Sequence, residues 1–144
     1  MNSEQKNRDL NSAQKVLTTR IQKGGALLTD MRQLVAGWSD EMSTADTPDA
    51  AKTLLSKVTM ARVRDTYVRA FRPRFLYGSP KNAWKLARVL EEMSADIEIV
   101  RPFYYWVTAR SDFLLYKFVT EELFVRLGYS DREVSIADTR HWID

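Results

Sequence analysis

The chain has 144 residues, 44% hydrophobic and 11% aromatic, enough for one domain burying about 68–70% of its unfolded surface and too apolar for wholesale disorder. It has no cysteine and one histidine, His141, which excludes disulfide staples, thiolate metal sites and multi-histidine centres, and suits a reducing cytoplasm. Its net charge of +3 conceals a segregation: Lys52 to Arg88 hold ten basic residues against Asp65 alone, a local +9 that leaves −6 for everything else.

Residues 1–17 are polar and without periodicity, and read as a loosely ordered segment ahead of a single domain over 18–144. Gly24-Gly25 is a flexible entry to a helix whose apolar stripe is Leu27, Leu28, Met31, Leu34, Val35 and Trp38. Residues 39–47 read as a polar connector. Thr47-Pro48-Asp49 then gives an N-cap, an N1 proline and a first-turn acid, opening a helix with Ala51, Leu54, Leu55 and Val58 inward.

Thr59 caps a further helix over 60–72, which places Met60, Val63, Tyr67, Ala70 and Phe71 in one sector and Arg62, Arg69 and Arg72 opposite. Arg64 falls nearer the apolar boundary. Pro73 and Gly78 end this helix, and Ser79-Pro80 starts another that buries Ala83, Trp84, Ala87, Leu90 and Met93. Its Lys81, Lys85 and Arg88 form an exposed stripe. Pro102 should kink or restart the helical stretch over 95–109. Ser111-Asp112 caps a long helix closed by Gly128, and Ser135 to Asp138 has capping-box spacing. The expected fold is all-α, a compact bundle of about six to seven helices.

The helices over 48–58 and 60–72, joined with almost no loop, have the proportions of a helix-turn-helix, in which the second helix enters the major groove. Arginine suits that task, because its planar fork pairs with phosphates and with the guanine edge. The candidate DNA-binding residues are Lys52, Lys57, Arg62, Arg64, Arg69, Arg72, Arg74, Lys81, Lys85 and Arg88. An adaptor whose basic face docks an acidic protein, or an RNA-binding bundle, fits the same charge. The aromatics Phe103, Tyr104, Tyr105, Trp106, Phe113, Tyr116, Phe118 and Phe124 lie outside the basic block and read as core.

Catalysis finds little support. Glu91-Glu92 and Glu121-Glu122 are adjacent pairs that diverge on a helix, and Asp138 with His141 lacks a nucleophile or third ligand. Gly24-Gly25 lacks the lysine and spacing of a phosphate loop. The reading is a non-enzyme with no cofactor and no metal. No apolar run approaches the roughly 20 residues that span a bilayer; Phe103 to Val107 is the most apolar stretch, and the polar start Met1 to Asp9 is no signal peptide.

Several strings resemble the BrxA family of BREX bacteriophage-exclusion systems: Gly24-Gly25-Ala26-Leu27-Leu28, Arg62-Val63-Arg64-Asp65, and Pro73-Arg74-Phe75-Leu76 with Gly78. Tyr104-Tyr105-Trp106 and the segment from Asp112 to Phe124 are similar to the same pattern, so the likeness runs from about Thr18 onward. The resemblance implies an all-helical, non-enzymatic, DNA-binding member of a defence complex that also holds a methyltransferase and ATPases. It touches Arg62, Arg64 and Arg74 within the basic block. BrxA-like chains usually continue by some tens of residues past this ending, so a second helix-turn-helix-like half is expected to be absent here. Proteins of this kind are sometimes described as inner-membrane proteins; no segment of this chain justifies that, and no membrane partner is expected.

Overall fold

A computed structural model describes residues 27–93, 96–128 and 133–143. Residues 1–17 and the Gly24-Gly25 entry lie outside them. The described residues are all-helical, as expected, and they fall into two compact units with the boundary between Ser111 and Asp112.

The larger unit opens with α1 (Leu28–Gly37), which buries Met31, Leu34 and Val35. Residues 39–47 are not a connector. Ser39 accepts a hydrogen bond from the Met42 N–H, Asp40 and Glu41 occupy the first turn, and a short helix, α2 (Asp40–Ala45), results. It stops at Asp46, which adopts a left-handed conformation at φ 46°. Thr47 and Pro48 open α3 (Pro48–Leu54) at the expected positions. Lys52 folds back over its C-terminal end, donating to the carbonyls of Ser56 and Val58.

α4 (Met60–Thr66) begins where the cap reading placed it, with the Thr59 hydroxyl accepting from the Arg62 N–H. It does not end at Pro73. From Tyr67 to Leu76 it continues as a π-helix with Pro73 inside. The Tyr77 N–H reaches the Arg72 carbonyl, five residues back, which is the wide π spacing. Packing drives the continuation. Val63, Tyr67, Ala70, Phe71, Phe75 and Leu76 are all buried, and extending past Pro73 adds the last two to the core.

The chain then turns at Asn82, which has φ 56°, and α5 (Ala83–Met93) starts after it, later than Ser79-Pro80 suggested. Ala83, Trp84 and Ala87 are buried as expected, whereas Met93 is exposed. α6 (Ile97–Ser111) passes through Pro102 as one element. The core gathers α1, α3, α4 with its π extension, α5 and α6 around a run of aromatic contacts. Trp38 meets Phe71 with ring centres 4.7 Å apart, Phe71 meets Phe75 at 5.5 Å, and Phe75 meets Tyr104 at 5.4 Å. A polar clamp closes the far side: Glu91 on α5 accepts two bonds from Arg32 on α1 and one from the Tyr104 hydroxyl on α6. The Arg32 guanidinium holds the Glu91 carboxyl below its ordinary range, while burial pushes the Tyr104 phenol up.

The second unit holds α7 (Phe113–Lys117), continued by π turns over Phe118–Leu123 and a last turn over Phe124–Leu127, then α8 (Ile136–Ile143). Asp112 caps α7 through the Leu115 N–H. Gly128 stands at the C-cap in a right-handed conformation. Ser135 and Asp138 exchange side-chain-to-backbone hydrogen bonds, the reciprocal capping box expected at α8.

Candidate nucleic-acid interface

The ten basic residues divide by what holds them. Three serve the fold. Arg74 is buried, so it is not placed to meet a phosphate. Arg88 does not join an exposed stripe: its guanidinium donates to the Val35 carbonyl and to the Trp38 carbonyl, closing the C-terminal end of α1, and packs over the Trp84 ring. Lys52 is committed to the end of α3 in the same way.

Four are paired with acids. Arg62 binds Asp30 at 2.9 Å, Arg69 binds Asp65 at 2.9 Å, and Lys85 binds Asp40 at 2.7 Å. All three cations are about half exposed, and such pairs contribute only about 0–1 kcal/mol, so a phosphate competes for them readily. Arg72 differs. Its Nε and Nη2 bind both oxygens of Asp46 at 2.8 and 2.6 Å. The same carboxylate accepts from the Tyr67 hydroxyl at 2.6 Å and the Tyr77 hydroxyl at 3.0 Å. Arg72, foremost, and then the two phenols hold the Asp46 carboxyl down at about 2, against the opposing effect of burial. Burial and the Asp46 hydrogen bond push the Tyr67 phenol up. This four-residue hub ties the end of α2 to the π-helix.

The remaining three, Lys57, Arg64 and Lys81, are exposed. Arg64 stands clear of the apolar boundary where the helical wheel placed it. Along α4, therefore, Arg62, Arg64 and half-exposed Arg69 face outward while Val63, Tyr67 and Phe71 are buried. The turn joining α3 to α4 is the segment 55–59.

Sequence reasoning missed the Asp46 hub and the pairings of Asp30 and Asp40, because these contacts span from 21 to 45 positions. It also assigned too many aromatics to the core. Tyr104 is buried, but Tyr105, Trp106, Tyr116 and Phe124 are exposed. Among the described residues no group of three or more His, Cys, Asp or Glu side chains is gathered to hold a metal ion, and no helix is long and apolar enough to cross a membrane.

These features define an all-helical protein whose helix α4, with its π extension, carries exposed or half-exposed arginines at positions 62, 64 and 69. The family model for BrxA matches residues 17–144, and the chain belongs to that family of BREX phage-defence components. Neither a curated protein nor a solved structure matches it.

Proposed function

We propose that this chain is a non-enzymatic, DNA-binding component of its phage-defence system, working alongside other BREX proteins, the methyltransferase and ATPases among them. Duplex DNA lies against the outward face of α4, with α3 and the turn 55–59 leading into it in the manner of a helix-turn-helix. The observation that carries this reading is the sidedness of α4 and its π extension: Arg62 and Arg64 are exposed and Arg69 half-exposed, while Val63, Tyr67 and Phe71 are buried. Lys57, at the turn, and Lys81 and Lys85, around the start of α5, supply further phosphate contacts. The pairs on Arg62, Arg69 and Lys85 open at small cost, and phosphate replaces the displaced carboxylate.

The test is a salt series on matched duplex DNA. Changing Arg62, Arg64 and Arg69 to Gln removes three candidate phosphate contacts, so the slope of log K against log salt should become shallower by about 3, at roughly 0.9 per contact. Binding should weaken across all sequences. An unchanged slope in the triple variant defeats this reading. A second reading, an adaptor whose basic face docks an acidic protein, is favoured by the ready pairing of Arg62, Arg69 and Lys85 with carboxylates; it predicts no duplex binding even at low salt.

A further inference from the structure

Val68, Arg69, Arg72, Pro73 and Tyr77 line an open cleft of about 440 Å³, within the size range of small-ligand sites. The π register creates it. In a regular α-helix, at about 100° per residue, positions 68 and 77 would lie on opposite sides. A π turn takes up roughly one residue more than an α turn, so residues four and five apart align, and Val68, Arg72, Pro73 and Tyr77 come onto one side.

The lining is mixed in a particular way. Tyr77 is half exposed, and the Arg72 guanidinium sits over its ring, 5.2 Å from the centre. One carboxylate, Asp46, holds both members of this stack, taking two guanidinium nitrogens and the Tyr77 hydroxyl. Asp46 thus neutralises Arg72 while tethering it beside the Tyr77 ring, so that the cleft gains a π surface and little free charge. The available cation is Arg69, whose bond to Asp65 is about half exposed on both sides and so opens easily. Val68 and Pro73 add apolar walls. A bare anion would have no use for the ring and these walls, and a paired base within a duplex offers no free face to stack on.

We propose that this cleft receives one unstacked DNA nucleotide, its base laid against the Tyr77–Arg72 stack and its phosphate on Arg69. The proposal rests on the reading that this side of the molecule binds DNA. It makes the protein a reader of distorted or opened duplex, since extruding a base costs least where pairing is already lost.

The experiment compares the full chain on a fully paired duplex and on the same duplex carrying one unpaired 2-aminopurine. The unpaired site should bind roughly tenfold tighter, the lower part of the range for one base–aromatic stack, and 2-aminopurine fluorescence should be quenched on binding. Tyr77→Ala should bring the affinity ratio between the two DNAs to about one and abolish the quenching, while Tyr77→Phe keeps both effects. Val68→Asp, at a half-exposed position that leaves the core intact, should likewise remove the preference, giving a second probe should Tyr77→Ala loosen the fold. Equal affinity for the two DNAs overturns the proposal while leaving duplex binding standing, and so does an undiminished preference in a folded Tyr77→Ala or Val68→Asp protein. Failure of both DNAs to bind overturns the DNA reading together with this one.

Discussion

Replacing Asp46 with asparagine tests the hub that anchors the π-helix. Asparagine preserves the shape of the side chain and tolerates the left-handed backbone at φ 46°, so the substitution removes charge without adding backbone strain. The folded carboxyl titrates at about 2 against an ordinary value of 3.8, a gap that converts to roughly 2.5 kcal/mol at full effect. The carboxylate retains a quarter of its exposure to water, and screening reduces the contribution to about 1–2 kcal/mol. The sign follows from the depressed value. The contribution is complete above the unfolded pKa and fades as pH falls through the folded one, between about pH 4 and pH 2. The assay is urea unfolding of parent and Asp46→Asn across that range. At pH 7 the variant should be less stable by about 1–2 kcal/mol, or roughly 5–10 °C in Tm for a unit of this size, and the difference should shrink toward zero near pH 2. Glu91, also depressed, weakens both proteins alike and drops out of the comparison. A gap of the same size at pH 7 and pH 2 would refute the assignment of this stability to the Asp46 charge.

Two further substitutions probe the packing. Phe71→Ala, at a fully buried ring between Trp38 and Phe75, should cost about 3–5 kcal/mol in urea unfolding; a cost below 1 kcal/mol would mean the aromatic run is not the core's centre. Gly78→Ala places a Cβ 2.5 Å from the Arg74 carbonyl and 2.7 Å from the Pro73 carbonyl, both backbone, so the end of the π-helix must shift at a cost of about 1–3 kcal/mol. Unchanged stability in Gly78→Ala would show that this end of the helix yields freely.

What was legible in the sequence was local. Thr59, Asp112 and Ser135 cap their helices because capping needs only a side-chain oxygen and an N–H two or three residues on. The stripe of Met31, Leu34 and Val35 is buried because helical periodicity alone puts those residues on one side. The signal for α2 was also present, in Ser39 followed by two acids, but the polar composition of 39–47 obscured it. The path through Pro73 was not legible. A proline in a regular helix clashes with the carbonyl four residues back and removes a hydrogen bond, and the compensation comes from contacts distant in sequence or beyond the proline: the burial of Phe75 and Leu76 and the bonds from Asp46 to Arg72 and Tyr77. The exposed aromatics misled for a related reason: periodicity shows which residues share a face, not which faces find a partner.

The basic block differs most between its appearance along the chain and its arrangement in space. Ten cations beside one acid look, along the chain, like an undivided footprint for a polyanion. In space, three of the acids that answer them, Asp30, Asp40 and Asp46, come from the stretch just upstream, so segregation in sequence becomes pairing in the fold. Charge is then a poor measure of availability, and the strength of each existing contact decides instead. Arg74 and Arg88 are held by burial and by carbonyls, and Arg72 by a bidentate bond within a hub of phenols; displacing any of them costs part of the fold. Arg62, Arg69 and Lys85 hold exposed pairs of about 0–1 kcal/mol, weak enough for another anion to displace. The same stretch of chain thus holds two kinds of cation: Arg72, Arg74 and Arg88 are built into the fold, whereas Arg62, Arg69 and Lys85 stand in weak, half-exposed pairs. A triple substitution of Arg62, Arg69 and Arg72, the set that helical spacing selects, would mix the two effects. The set Arg62, Arg64 and Arg69 separates them, because its members lose at most weak exposed pairs while removing the outward charge of α4.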